Sequence, residues 1–479
     1  MVLKQYYLGC LAHASYLIAD EKTKIAAVVD PQRDIAQYLA DAKAAGYSIR
    51  YVFLTHFHAD FLAGHIELRN QAGAQICLGR RAQAEFEHMP LTDGDVVQFG
   101  DVRLTIMETP GHTPEGISIL VHDLSISVTD PHAVLTGDTL FIGDVGRPDL
   151  LASVGVTAEE LAAMLYESVG RLRQLPDSTL VYPAHGAGSL CGKSLSRETV
   201  STMGEQKRVN YALQPMSFEK FRELVVAEQP EAPGYFVYDA VLNRQERPDL
   251  SQSLSTSLRP LSLAEVLRMQ QSGAQLLDVR GATDFEAASL AGSLNIALRG
   301  SYATWCGSLL SHDRPIIVLA EAGSEEEAVM RLGRIGFDNV AGFLEGGMEA
   351  LREHPQRVQS IPRITAAELA ADRSGSAAPV VLDVRSEKEH AIVHLEGSLN
   401  IPLMHLRERL AEVPADRPLV VHCEGGYRSA IACSVLAQAG RSNFQDLVGG
   451  IKAWIATSLP TEPPDTLTCG TKTCSVATN

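Results

Sequence analysis

Over the first 215 or so residues, short apolar runs recur and end close to a His or Asp: AAVVD (26–30), IRYVFLTH (49–56), AQICLG (74–79), VRLTIMETP (102–110), AVLTGD (133–138) and TLVYPAHG (179–186). Runs of about four to eight such residues bounded by Gly, Pro or Asp predict strands. DIAQYLADAKAAG and TAEELAAMLYESVGRLRQL lie between them with apolar positions at helical spacing, and predict helices. The pattern predicts one α/β domain with polar residues gathered at strand ends, where ligand sites of open sheets lie. The stretch from about 215 to 258, with EQPEAP and RQERPDLSQSLSTSLRP, reads as a helix followed by a connector.

Beyond it the pattern repeats. LLDVR (276–280) recurs as VLDVR (381–385), SLAGSLNIAL (289–298) as HLEGSLNIPL (394–403), and RPIIVLAEAG (314–323) as RPLVVHCEGG (417–426). A period a little over 100 residues is too long for a solenoid unit and means two copies of one domain. In each copy β-branched runs alternate with helical stretches such as EEEAVMRLGRIG and SAIACSVLAQAG, which predicts a parallel sheet covered on both faces. The division expected is 1–258, 259–358 and 359–479, the last ending in a mobile Pro/Thr-rich tail.

Composition narrows the function. Three domains suit a chain of 479 residues. A net charge of −17 argues against nucleic acid, whose phosphates require clustered Lys and Arg. The start, MVLKQYYLGCLAHASYLIADEKTK, lacks the layout of a signal peptide, and no apolar run reaches the ~18 residues of a membrane span, so a cytoplasmic protein is expected. Eight scattered cysteines form no disulfide framework and are judged singly as thiols; Cys469 and Cys474 in the tail are a candidate redox pair.

The chemistry concentrates in THFHADFLAGH (55–65). His56, His58 and Asp60 are followed in order by His112 in TPGHTPEG, Asp138 in LTGDTLF, Arg147 in GRPD and His185 in YPAHG. Loops at strand ends bring such residues to one point, and the set as a whole reads as a metal site. Lone histidines such as His13, His88 and His122 read as core or surface groups. The motif order resembles the metallo-β-lactamase superfamily, an αβ/βα sandwich. Binuclear hydrolases of that superfamily carry a further histidine where this chain has Phe61, and a phenyl ring has no lone pair to give. The remaining set, His56, His112 and Asp138, matches the facial two-His-one-carboxylate arrangement of non-haem iron oxygenases. The closer resemblance is to the persulfide dioxygenases. It implies one Fe(II) per chain on those three residues, His58, Asp60 and His185 orienting them, and Arg147 gripping an anionic part of the substrate. Glutathione-using members carry an aromatic residue where this chain has Ala187, so glutathione and coenzyme A both stand as carrier thiols. Cys191, in AGSLCGKSLS, is either a packed thiol or a persulfide acceptor.

In the second repeat, VVHCEGGYRSA predicts a strand ending at His422, a loop Cys423-Glu424-Gly425-Gly426-Tyr427-Arg428, and a helix from near Ser429. Inward backbone N–H groups and a helix N-terminus stabilise a thiolate or persulfide there. The segment resembles the rhodanese sulfurtransferases, which implies Cys423 as sulfur carrier, Arg428 as anion-binding catalytic partner, and Glu424, Gly425, Gly426 and Tyr427 as the binding loop. The first repeat has Ala320 in place of Cys423 and Glu325 in place of Arg428, so it is expected to be inactive. The combined expectation is oxidation of a small thiol persulfide by O₂ to sulfite, coupled to sulfur transfer among sulfite, thiosulfate and persulfide in sulfide detoxification, by a homo-oligomer. The competing expectation is a two-metal thioester hydrolase of the glyoxalase II or β-lactamase type fused to a sulfurtransferase.

Overall fold

The computed structural model describes residues 1–150, 155–227, 229, 231–373 and 378–462; Cys469 and Cys474 lie outside them. By compactness the chain parts into one unit of Met1–Leu258 with Ala303–Asp313 and Val329–Val340, and a second of Arg259–Tyr302, Arg314–Ala328 and Ala341–Asn479.

The first unit contains a pair of six-stranded sheets. One runs in chain order through β1 (Val2–Leu8), β2 (His13–Ala19), β3 (Ile25–Val29), β4 (Ser48–Phe53), β5 (Gln75–Gly79) and β6 (Met89–Leu91). The other runs through β7 (Val96–Phe99), β8 (Val102–Glu108), β9 (Ile117–Asp123), β10 (Ala133–Gly137), β11 (Leu180–Pro183) and β12 (Ser201–Thr202). Strand β3 shows why the pattern is near-continuously apolar. Ala27 and Val29 enter the core between the sheets with Phe53, Ile106 and Leu135, while Ala26 and Val28 enter a second core under α1 (Ala36–Ala45) and α2 (His65–Ala72). A strand covered on both faces has no polar side to alternate. On the opposite side α3 (Ala158–Leu172) lays Leu165, Val169 and Leu172 over Val134 and Val181. Its start is set by a capping box, Thr157 accepting from Glu160 N while the Glu160 carboxylate accepts from Thr157 N.

Parallel pairing of β3 with β4 and of β10 with β11 brings their C-terminal ends to common edges. Asp30, Thr55 to Asp60, Asp138 and His185 all lie just past those ends. The N-terminal hairpin β1–β2 was not among the expected strands, and it places His13 at the start of β2.

The stretch after residue 215 is more than a helix and a connector. Besides α4 (Met203–Val209), the chain forms α5 (Phe218–Val226), α6 (Tyr235–Leu242) and α7 (Leu250–Ser257). Directly after α6, buried Asn243 clamps the histidine loop: Oδ1 accepts from Ala63 N at 2.9 Å, and Nδ2 donates to the carbonyls of His58 and Phe61, each at 2.8 Å. Arg33, fully buried, ties the same unit together through Glu67, Asp338 and the Gly333 carbonyl.

In the second unit the two repeats share one strand order. Pro260–Leu261, Val340–Leu344, Ile316–Leu319, Gln275–Asp278 and Leu294–Asn295 correspond in turn to Arg363–Ile364, Phe444–Leu447, Leu419–His422, Val380–Asp383 and Leu399–Asn400, and the second set is parallel throughout. The repeated LDVR and GSLN motifs have structural work. Arg385 chelates Asp383, and Asn400 Nδ2 donates to the carbonyls of Asp383 and Arg385; Arg280, Asp278 and Asn295 do the same in the first copy. Among the described residues no helix is long and apolar enough to cross a membrane.

An Asn243→Leu variant leaves three buried backbone groups of the histidine loop unpaired, at about 1–3 kcal/mol each. A fall of several degrees in the melting temperature of the first unit, read by calorimetry, is the expected outcome.

Candidate metal centre and cysteine loop

His56, His112 and Asp138 come together although they lie on three different loops, and one ligand atom from each falls within 4.8 Å of the others. His56 Nε2 is 3.7 Å and His112 Nε2 3.5 Å from Asp138 Oδ2. These separations exceed a normal hydrogen bond and suit three donors sharing an ion at about 2.0–2.2 Å from each.

The outer atoms set the tautomers. Thr55 Oγ1 donates its single proton to Asp30 Oδ2 at 2.8 Å, so toward His56 Nδ1, 3.0 Å away, it acts as acceptor. His112 Nδ1 donates to the Arg147 carbonyl at 2.9 Å. Both rings therefore carry their proton on Nδ1 and offer an Nε2 lone pair to the centre. Burial pushes the pKa of both imidazoles down, and His58 adds to this at His56, so the neutral form is the one present. At Asp138 burial works against the charge, but His185 and His56 outweigh it and hold the carboxyl well below its ordinary value. Two neutral imidazoles and one carboxylate are the protonation states a metal requires. The donor set fits a divalent ion.

Glycines let the loops approach. A Cβ on Gly146 would stand 1.8 Å from the Asp138 carbonyl oxygen, and one on Gly137, at φ +52°, 2.5 Å from Thr55 Oγ1. The three residues expected to orient the ligands lie alongside. His185 Nδ1 stands 2.8 Å from Asp138 Oδ1 and its Nε2 3.0 Å from Asp60 Oδ2, while His58 Nε2 is 3.1 Å from Asp30 Oδ1. His58, Asp60 and His185 form a second cluster with donor atoms within 4.8 Å. Phe61 seals its flank, with its ring centroid 4.5 Å from that of His58 and 4.1 Å from that of His13.

His13, read from sequence as a core or surface group, is a core one, buried against His58, Phe61 and His185. The Arg147 fork, expected to grip substrate, is turned to Asp149. Its side chain is 3% exposed, Nε and Nη2 are bound to Asp149, and Nη1 donates to the Leu190 carbonyl. Its contribution to the site is the carbonyl that aims His112. Asp30, in the left-handed region at φ 48°, was missed altogether; its only signal was an aspartate closing an apolar strand. Cys191 is buried within 4.8 Å of donor atoms of Asp138 and His185, and burial raises its thiol pKa well above the usual value.

In the second unit the strand Leu419–His422 ends one residue before Cys423, and the helix Tyr427–Gln438 begins two residues earlier than expected. Cys423 Sγ accepts from Gly426 N at 3.1 Å, and its thiol lies 3.6 Å from Ser429 Oγ. The sharp turn needs Gly426 at φ +111°. Arg428 is not open: its two terminal nitrogens each meet a Glu389 oxygen at 2.7 Å, and against the opposing effect of burial the pair brings Glu389 down to about 2. An incoming anion has to compete with that carboxylate. Glu424 pairs with Lys452, Gly425 has no neighbour within 4 Å of a built Cβ, and the Tyr427 hydroxyl donates to the Ala297 carbonyl.

The first repeat answers atom for atom. Ala320 follows the strand Ile316–Leu319 as Cys423 follows its counterpart. Gly323 occupies the place of Gly426, and its N–H donates to Glu325 Oε2 at 2.7 Å. The amide that meets sulfur in one copy meets the chain's own carboxylate in the other.

Thr55→Val removes the link from Asp30 to His56 while keeping the shape. Affinity for a divalent metal ion should fall roughly 10–100-fold, the usual effect of losing an orienting partner, as read by chelator competition.

Comparison with known proteins agrees with this geometry. The metallo-beta-lactamase superfamily model matches residues 8–185, and the rhodanese-like domain model matches 262–354 and 365–457. The mitochondrial persulfide dioxygenase ETHE1 of Bos taurus is 32% identical over 224 residues, 46% of this chain and 79% of that protein. A hydroxyacylglutathione hydrolase of Dictyostelium discoideum is 31% identical over 173 residues, 36% of this chain and 61% of that protein. Among solved structures, a metallo-beta-lactamase from Staphylococcus aureus subsp. aureus COL aligns with a TM-score of 0.65 at 29% identity, covering 71% of this chain and 98% of that one. With its buried His and Asp donors at the strand ends and a tandem of rhodanese-like domains later in the sequence, the chain belongs to the metallo-beta-lactamase superfamily, among relatives of the persulfide dioxygenases.

Proposed function

We propose that the first unit oxidises a low-molecular-weight thiol persulfide and that the second transfers sulfane sulfur, the two together serving sulfide detoxification. The first reaction balances as RSSH + O₂ + H₂O → RSH + H₂SO₃. The observation that carries it is the meeting of two neutral imidazoles and one carboxylate beside a phenyl ring, Phe61, where a second ion would need a nitrogen. A single Fe(II) held by His56, His112 and Asp138 would supply Lewis-acid and redox chemistry to sulfur and dioxygen. The residues do the rest. Thr55 and the Arg147 carbonyl keep both Nε2 lone pairs turned inward. His185 holds Asp138 in one orientation. Thr109, Thr113 and Ile117 narrow the space beside the donors.

In the second reaction Cys423 carries the sulfur. The Cys423 thiolate attacks the outer sulfur of a thiol persulfide RSSH, the RS–S bond breaks and the thiol RSH leaves, and the Gly426 amide, already directed at Sγ, supports the charge on the resulting Cys423 persulfide anion. With sulfite as acceptor the terminal S–S bond breaks, thiosulfate leaves and the thiolate returns. The first repeat supports no such step, since Ala320 has no sulfur and Glu325 takes up the loop amide. Agreement with the ETHE1 relatives supports this reading; the hydrolase relatives mark its rival.

Oxygen uptake with glutathione and coenzyme A persulfides, with sulfite and thiosulfate both measured, tests the division of labour. Wild type should consume O₂. Cys423→Ser should retain most of that uptake and lose interconversion of sulfite and thiosulfate. Loss of uptake with Cys423, or thioester cleavage by a protein carrying two zinc ions, would overturn it.

A further inference from the structure

Most arginines at the centre of the first unit are committed. Arg33 is bound to Asp338, Arg69 to Glu246, Arg147 to Asp149 and Arg334 to Asp34, each through two nitrogens and two carboxylate oxygens. Two others are not. Arg81, exposed in the loop after β5, and Arg244, half-buried after α6, line a cavity of about 170 Å³ together with Phe57, Pro114 and Glu115. Among the described residues no carboxylate lies within ion-pair distance of either guanidinium. Arg244 packs over the Phe57 ring with Cζ 5.3 Å from the centroid, and its Nε is buried without a hydrogen-bond partner. The chain as a whole carries a net charge of −17, and these two arginines share one cavity.

The cavity adjoins the metal centre through the chain itself. Phe57 follows His56, and Pro114 and Glu115 follow His112 and Thr113. Glu115 faces the cavity too, but its Oε1 accepts from Phe57 N at 3.1 Å, and two positive charges stand against its one. A guanidinium with free donors, a neighbouring second guanidinium and an aromatic floor form a receptor for a carboxylate or phosphate on a short apolar stem.

We propose that Arg81 and Arg244 bind the anionic end of the thiol carrier, the task that buried Arg147 does not perform, and so set the enzyme's preference for carriers bearing a carboxylate or phosphate. The assignment rests on the persulfide reading above.

Two measurements test it. The first is calorimetric binding of reduced glutathione, reduced coenzyme A and neutral 2-mercaptoethanol to wild type, Arg81→Ala, Arg244→Ala and Arg244→Lys; it needs no turnover. At least one anionic thiol should bind wild type and lose about tenfold or more in affinity with either alanine variant, with part regained in the lysine variant. Loss for glutathione alone identifies a carboxylate subsite, and loss for coenzyme A alone a phosphate subsite. The second is steady-state oxidation of the matching persulfides, where the loss should fall on KM more than kcat and be much smaller for the neutral carrier. Unchanged affinity for both anionic thiols, or equal losses for the neutral one, overturns the assignment. A wild type that binds the anionic thiol through these arginines yet oxidises no persulfide would instead refute the proposed reaction and leave the subsite standing. Arg81, being exposed, can be replaced without disturbing the core if Arg244→Ala fails to fold.

Discussion

Two imidazoles and a carboxylate can be buried around one point only if each is held in a single protonation state and orientation. Here the outer atoms do that work. Asp30 takes the hydroxyl proton of Thr55, which makes Thr55 an acceptor for His56; a backbone carbonyl does the same for His112; His185 steadies Asp138. The strain of a left-handed Asp30 and the close approach at Gly146 are consequences of the same demand, since the loops must converge within hydrogen-bonding reach. The fold serves it as well. Parallel strands end at common edges, and the helix following residue 234 returns Asn243 to brace the histidine loop from outside.

The second unit applies one constraint twice, with opposite outcomes. A strand-to-helix turn exposes amide hydrogens that need an acceptor. In one copy the acceptor is the buried Cys423 sulfur; in the other it is Glu325, the first residue of the following helix, with alanine where the sulfur would be. The sheet order, the Asp–Arg chelate and the asparagine clamp are unchanged between the copies. The two copies thus share the bonds made by LDVR and GSLN and differ in the residues that meet the loop amide.

The sequence made the local features legible. Apolar runs ending in His or Asp marked the strands and their edge, and the repeat announced two domains with only one nucleophile. What it concealed was long-range. His13 sits in a hairpin whose second strand is buried along its whole length, and nothing nearby ties it to residues far along the chain. Asn243 lay in a stretch whose prolines and charges suggested a linker; its partners are some 180 residues distant. At Arg147 the motif reveals a guanidinium but not the Asp149 that it binds. Arg81 and Arg244 carried no motif at all and stand out only once they are seen to line one cavity beside Phe57.

The central claim is a single ion held by His56, His112 and Asp138. Anaerobic reconstitution with Fe(II), followed by X-ray absorption on the iron, tests it most directly. The account predicts one ion per chain, with nitrogen and oxygen neighbours and no metal–metal scattering, lost on His112→Ala. Two ions per chain with a metal neighbour at about 3.5–4 Å, the spacing of a binuclear hydrolase, would contradict it.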